Sequence, residues 1–279
     1  MRVSGRLREI ARVTVEIAGA GHYRTPSGRQ VTIDVAAAVA GTRLYEPGET
    51  LPKAAPGTPD IEVTHESTLV ATRRLQGDVA ALVFASAKNP GGGFLGGAKA
   101  QEEDLARASA LYPCLRAASD FYAHHRDQRD LRYTDRVIYS PAVPVFRDDK
   151  GALLDEPYTT SFLTAAAPNA GAIHRNQPAD ARDLPAVLAR RATRVLRVAA
   201  AHGHRTLVLG AWGCGVFRND PATVANAFAD ALREVAQFDR IVFAIRDGRS
   251  GTPVYRAFES VFAPSSGTVI DDWVVLPED

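Results

Sequence analysis

The chain has 279 residues, 46% of them hydrophobic and 23% charged, the composition of a globular protein with room for one large or two small domains. Its 33 basic and 32 acidic groups leave a net charge of +1, so no global field draws it to nucleic acid or membrane, and an anionic ligand has to be held by a local site. Cys114 and Cys214 stand far apart, which argues against a disulfide framework and fits a reduced, cytoplasmic setting.

The first residues, MRVSGRLREIARVTVEIAGAG, are basic but lack a long apolar core and a cleavage site, so no signal peptide is expected. No run approaches the roughly 20 apolar residues of a membrane span. Leu7, Ile10, Val13 and Ile17 recur at helical spacing and predict a helix over 2–18. Turn signals follow at Gly19, Gly21, Pro26, Ser27 and Gly28, then a short strand over 31–35 and a Pro/Gly-rich stretch over 47–59. Residues 1–60 are therefore expected to form an N-terminal, mostly helical extension ending in a linker, with the main domain at 61–279.

From residue 61 the pattern alternates. Apolar runs predict strands over 61–64, 80–87, 137–145, 162–167, 206–211 and 241–245, and helices are predicted between them over 66–76, 101–111, 114–126, 181–203 and 221–236. Nearly continuous apolar strands suit a sheet covered by helices on both faces, so the expected class is α/β, a three-layer α/β/α sandwich. In AVLARRATRVLRVAA, over 186–200, Val187, Leu188, Val195, Leu196 and Val198 are the expected core positions, and the arginines are read as a solvated face.

The most informative stretch is KNPGGGFLGGAKAQEEDLARAS, residues 88–109. It follows the 80–87 strand and runs into the 101–111 helix, the end of a strand where ligands sit in open α/β sheets. Glycines there let backbone N–H groups approach an anion, and the helix N-terminus adds orphan donors. A Walker loop fails, because Gly97-Ala98-Lys99-Ala100 lacks the Gly-Lys-Ser/Thr ending. The dinucleotide spacing is met by Gly91, Gly93 and Gly96, but the acid expected about 20 residues on falls near Arg116, inside a predicted helix. Glu102 and Glu103 next to such a loop have two readings. Acids in a first helical turn complement the helix dipole. Alternatively, a carboxyl beside a bound diphosphate has its pKa raised by like charge, as a general acid on a glycosidic oxygen requires.

Gly91-Gly92-Gly93, seven intervening residues, then Gln101-Glu102-Glu103 resembles the signature of poly(ADP-ribose) glycohydrolases, and KNPGGGFLGGAKAQEEDLARASALY is similar to their bacterial branch. The resemblance covers roughly residues 61–265 and takes in the N-terminal segment more loosely. It implies a macrodomain with a mixed central sheet as the catalytic domain at 61–279. It also implies hydrolysis of ribose–ribose O-glycosidic bonds to release ADP-ribose from chain ends. By the same resemblance Asn89 holds the distal ribose, Gly91, Gly92 and Gly93 line ribose and diphosphate, and Gln101 belongs to the ligand-binding set. Glu102 bonds ribose hydroxyls, while Glu103 protonates the leaving oxygen and then activates water.

A second loop, Trp212 to Asp220, follows the 206–211 strand. Small residues again bring backbone toward an anion, and Asp220-Pro221 is a helix N-cap followed by proline at the first helical position. The resemblance implies that Gly213, Cys214, Gly215 and Val216 wrap the diphosphate and that Phe217 packs on the distal ribose. Asn169 is read equally as a ligand contact or a turn former. Phe146 and Phe243 are read as core before adenine contacts, and Asp247 as an adenine contact or a turn. Both cysteines are expected to be buried fillers. His22, His65, His124, His125, His174, His202 and His204 form no HExxH, so neither metal nor cofactor is expected. The expected partner is poly(ADP-ribose) or ADP-ribose on modified macromolecules, with no membrane and no obligate protein partner. Two other functions stay open: removal of single ADP-ribose groups from protein or nucleic-acid bases, and non-catalytic ADP-ribose binding.

Overall fold

A computed structural model describes residues 3–263. In chain order its elements are α1 (Val3–Ala20), the hairpin β1 (His22–Arg24) and β2 (Gln30–Thr32), α2 (Val35–Gly41), β3 (Arg43–Tyr45), β4 (Asp60–Thr64), α3 (Thr68–Leu75) and β5 (Val79–Phe84). Then come α4 (Gln101–Ala108), α5 (Leu111–Ala117), α6 (Ser119–Asp127), β6 (Val137–Arg147) and β7 (Leu153–Ala165). The rest are α7 (Ala170–Asn176), α8 (Leu184–Ala201), β8 (Thr206–Leu209), α9 (Pro221–Glu234), β9 (Arg240–Ala244) and α10 (Pro253–Phe262).

The main sheet has seven strands in the order β3-β6-β7-β5-β8-β9-β4. Strands β7, β5, β8, β9 and β4 are parallel to their neighbours in that run, whereas β6 is antiparallel to β7 and β3 to β6. Alternation along the strands splits the core in two. Leu82, Leu163, Leu207, Leu209 and Phe243 face a cluster built with α8, α9 and α10. Ala81, Val83, Phe162, Val208 and Val242 face the other, which includes Leu105, Leu111, Leu115 and Phe121 of α4–α6. This is the expected three-layer α/β/α arrangement with a mixed sheet.

The expected boundary at residue 60 does not separate two bodies. Leu44 of β3 pairs with Ile138 of β6, so the first 60 residues contribute an edge strand, and β4 forms the opposite edge. Ile17, Tyr23, Val31, Ile33, Val35 and Ala38 share the α4–α6 core. The Pro/Gly-rich stretch is the crossing from one edge to the other; Leu51 and Ala54 pack on the α8–α9 side, and the Ala55 N–H donates to Gln237 Oε1 over 3.1 Å. A three-residue strand carries too little periodicity to be read from sequence.

Other differences are local. The 114–126 helix breaks at Ala118, where ψ is 44°, into α5 and α6. Strand β7 starts at Leu153, and Val35 opens α2 instead of ending a strand. The five apolar residues chosen on α8 are buried, but Arg191 on the supposed solvated face is buried too. Its Nε donates to Asp135 Oδ1 over 2.9 Å and its Nη1 to the Ala166 carbonyl over 2.7 Å. Phe146 and Phe243 are fully buried core residues, as favoured from sequence.

Candidate active site

The carboxyl ends of four parallel strands open on one cavity of about 740 Å³, lined by Glu66 after β4, Phe84 to Ser86 after β5, Ala211 after β8 and Ala244 to Arg249 after β9. That is the crevice in which open α/β sheets bind ligands, and its volume lies in the range of small-molecule sites.

Helix α4 carries Gln101, Glu102 and Glu103 into the cavity wall. Gln101 is fixed from both ends of its amide: Oε1 accepts the Phe84 N–H at 2.9 Å, and Nε2 donates to the Leu82 carbonyl at 2.8 Å and to Thr68 Oγ1 at 3.1 Å. Those bonds tie the first turn of α4 to the end of β5. They engage both amide hydrogens and one oxygen lone pair of Gln101, which also lines the cavity.

Glu102 is buried, at 3% exposure. Its Oε2 accepts the Ser86 N–H at 2.6 Å, and Oε1 has no partner. Burial pushes its pKa up to about 8; bonds from the Ser86 and Gly91 N–H groups oppose this, and the neighbouring Glu103 adds to it. A raised carboxyl pKa thus falls on Glu102, and burial causes it. Glu103 is half-buried on the cavity wall, and its Oε1 accepts the Gly93 N–H at 3.0 Å.

The glycines serve these carboxyl groups. Gly91 and Gly92 have φ of 71° and 59°, the left-handed region that favours glycine. A Cβ on Gly92 would come within 2.9 Å of Glu103 Cδ and 3.2 Å of Glu102 Oε2. Gly91 is buried and Gly92 half-buried, while Gly93 and Asn89 are exposed.

Opposite α4, Gly213, Cys214, Gly215, Val216 and Phe217 form the second wall. Asn219 shapes this loop: its Nδ2 donates to the Pro168 carbonyl at 2.8 Å and to the Gly213 carbonyl at 3.1 Å. The Phe217 carbonyl accepts the Gly171 N–H at 2.8 Å, and its ring lies 6.0 Å from that of Tyr133. Val216 is 84% exposed at the loop tip. Asp220 caps α9 by accepting the Thr223 N–H at 2.8 Å, as its sequence predicts. Burial pushes the Cys214 thiol up to about 12 and the Cys114 thiol up to about 11, so neither is a ready nucleophile.

Asn169 takes its turn-former reading: it caps α7, with Oδ1 accepting the Ala172 N–H at 3.1 Å. Asp247 lines the cavity but accepts the N–H groups of Arg249 at 3.0 Å and Val254 at 2.7 Å, closing the turn into α10. Lining residues not singled out from sequence include Glu66 to Leu69, Asp149, Arg246 and Arg249. Applying the strand-end rule to the 61–64 and 241–245 strands would have found all but Asp149, which arrives on the β6–β7 turn. Lys99, Arg246 and Arg249 supply positive charge to the lining. Among the described residues no three His, Cys, Asp or Glu side chains converge as a metal site requires. No helix among them is long and apolar enough to cross a membrane.

A family profile described as the microbial-type PARG catalytic domain matches residues 11–148. The crystal structure of poly(ADP-ribose) glycohydrolase from Thermomonospora curvata is 50% identical, with a TM-score of 0.84 over 92% of this chain and 100% of that one. The same figures hold for its complex with the inhibitor ADP-HPD. The enzyme from Deinococcus radiodurans, solved with ADP-ribose, is 45% identical, with a TM-score of 0.79 over 86% of this chain and 99% of that one. A search of curated proteins gave no match. With half its residues shared over nearly the whole length of both chains, this chain belongs to the bacterial poly(ADP-ribose) glycohydrolase family.

Proposed function

We propose that this poly(ADP-ribose) glycohydrolase releases ADP-ribose from the ends of poly(ADP-ribose) chains, with Glu103 as the acid/base and Glu102 as the ribose-positioning group. The observation that supports this reading is two adjacent carboxyl groups at one cavity in different surroundings: Glu102 is buried, which raises its pKa, and Glu103 is half-buried on the wall and held by the Gly93 N–H. Two carboxyl groups in different environments can take different roles in glycoside hydrolysis.

In the proposed reaction Glu103 gives its proton to the ribose oxygen that leaves as the ribose–ribose bond breaks. The remaining ribosyl centre takes oxocarbenium character, offset by the negative diphosphate of the same ligand. Glu103, now a carboxylate, takes a proton from the water that adds to that centre. Glu102 stands where a neutral carboxyl can share a hydrogen bond with ribose hydroxyls without adding charge beside the diphosphate. The glycine loop holds Glu103, while the 213–217 loop and the cations Lys99, Arg246 and Arg249, which share the lining with six acids, suit the diphosphate. One ADP-ribose unit suits a cavity of about 740 Å³.

The test is release of ADP-ribose from poly(ADP-ribose) by wild type beside Glu103→Gln. The variant should lose roughly a hundred- to ten-thousandfold in rate, because the transferable proton is gone, while ADP-ribose binding persists. Chain-end action predicts free ADP-ribose as the early product; early release of oligomers overturns it. Binding with no release from any ADP-ribosylated substrate makes the site a reader. Release from mono-ADP-ribosylated substrates alone reassigns the substrate.

A further inference from the structure

Helix α1 packs on the outer side of the glycine loop. Ala11, Phe94 and Ala106 form a small, fully buried cluster there. The Phe94 ring also backs Gly91, 2.9 Å from where a Cβ on that glycine would sit. At the other end of the loop, a Cβ on Gly97 would come within 2.6 Å of the Ser4 carbonyl oxygen.

One polar residue stands on the buried face of this helix. Thr14 is 1% exposed, between Val13 and Val15. Its Oγ1 donates to the Arg107 carbonyl at 2.7 Å, near the end of α4, and accepts from Arg147 Nε at 3.0 Å. Arg147 is itself buried and gives its Nη1 to the Gly151 carbonyl at 2.9 Å. The side chain of Arg107, also buried, reaches back along α4. Its Nη1 donates to the Ala98 carbonyl at 2.6 Å and its Nη2 to Asp104 Oδ1 at 2.6 Å. Ala98 in turn donates its N–H to the Gly93 carbonyl at 3.1 Å, and Gly93 donates its own to Glu103 Oε1 at 3.0 Å.

We propose that Thr14 and Arg107 are positioning residues for catalysis, forming with Ala98 and Gly93 a chain that runs from the N-terminal helix to the Glu103 carboxyl. This rests on Glu103 being the acid. The chain fixes the α4 side of the loop that holds that carboxyl: Arg107 locks Ala98 to α4, and Thr14 locks the far end of α4 to α1. A general acid misplaced by about 1 Å can lose about a hundredfold in rate, so a brace of this kind acts on the chemical step. Residues 213–217 of the lining make no hydrogen bond with the members of this chain.

The test compares wild type, Thr14→Val, Thr14→Ser and Glu103→Gln for ADP-ribose release and ADP-ribose affinity, both well below the melting temperature, and for thermal unfolding. Thr14→Val keeps the shape and removes the hydroxyl. It should lower kcat about tenfold or more while KM and the ADP-ribose Kd move less than about threefold, and Thr14→Ser should restore kcat. A folded Thr14→Val protein with kcat within about twofold of wild type, or a loss that serine does not restore, overturns the proposal. If Thr14→Val does not fold, Arg107→Lys breaks the Ala98 bond further along, and the same split between kcat and Kd is required of it. Wild-type release abolished in Glu103→Gln upholds the acid assignment separately; a wild type that releases nothing, or an active Glu103→Gln, overturns both.

Discussion

A Cβ on Gly92 would lie 2.9 Å from the Glu103 carboxyl carbon. The middle glycine of the triplet is therefore bare because the acid occupies the space a side chain would take. The protein's own carboxyl groups impose this constraint on Gly92, apart from any contact the glycines make with a ligand.

Gly92→Ala tests this. At φ of 59° alanine costs about 1–2 kcal/mol in backbone strain, which a domain of this size survives. The added methyl must displace Glu103, so release of ADP-ribose should fall about a hundredfold with a modest loss of stability. Activity retained at wild-type level would show that Glu103 moves freely and that the glycine is needed for its backbone angle alone.

The raised pKa of Glu102 gives stability a pH dependence of definite sign. Its carboxyl keeps its proton in the folded chain up to about 8, whereas an ordinary one releases it near 4.5. Between those values the folded state binds more protons than the unfolded, so this group's effect is to lower stability as pH rises across that window. Glu102→Gln removes the titration. Denaturant unfolding of the variant should show a flatter pH profile from 5 to about 8.5 than wild type. The same titration places a negative charge beside the ligand, so ADP-ribose affinity should weaken above about pH 8 in wild type and hold in Glu102→Gln. Parallel profiles for the two proteins would place the raised pKa elsewhere.

What the sequence disclosed follows from periodicity and local signals. Long apolar runs, the amphipathic α8 and the Asp220-Pro221 start of α9 are properties of neighbouring residues and were readable. The glycine loop and Glu102-Glu103 were readable because a strand, a loop and a helix follow one another within 30 residues. Strand β3 was not, since Arg43 to Tyr45 gain strand character only by pairing with β6, almost a hundred residues later. Arg191 was misread for the same reason: its partners, Asp135 and the Ala166 carbonyl, come from other elements. The role of Gln101 was hidden because a signature fixes its place without saying which way its amide points.

Gln101→Met separates the two readings of that residue. Methionine fills similar space but leaves the Phe84 N–H and the Leu82 carbonyl without partners, which costs about 2–4 kcal/mol. Stability should drop by that amount while the ADP-ribose Kd changes less than about threefold at temperatures where the variant is folded. A stable variant that binds ADP-ribose tenfold or more weakly would keep Gln101 in the ligand-binding set.

Asn219 should matter to binding more than to the chemical step. It is buried at 3% exposure, and its Nδ2 joins the Pro168 and Gly213 carbonyls, drawing the second loop against the end of β7. Gly213, with φ of 73°, has no room for a Cβ: one would lie 2.5 Å from both the Ala167 Cβ and the Asn219 Nδ2. Asn219→Asp keeps the shape and turns the donor into an acceptor facing two carbonyl oxygens. Those groups must then separate, and the 213–217 wall moves with them. Losing this donor and gaining repulsion in a buried position is worth roughly 1–3 kcal/mol, so ADP-ribose should bind about ten- to a hundredfold more weakly. Glu103 is held from the opposite wall by Gly93, so kcat at saturating polymer should change much less than KM. Equal losses in both would mean that the second loop also sets the geometry of the bond being cleaved.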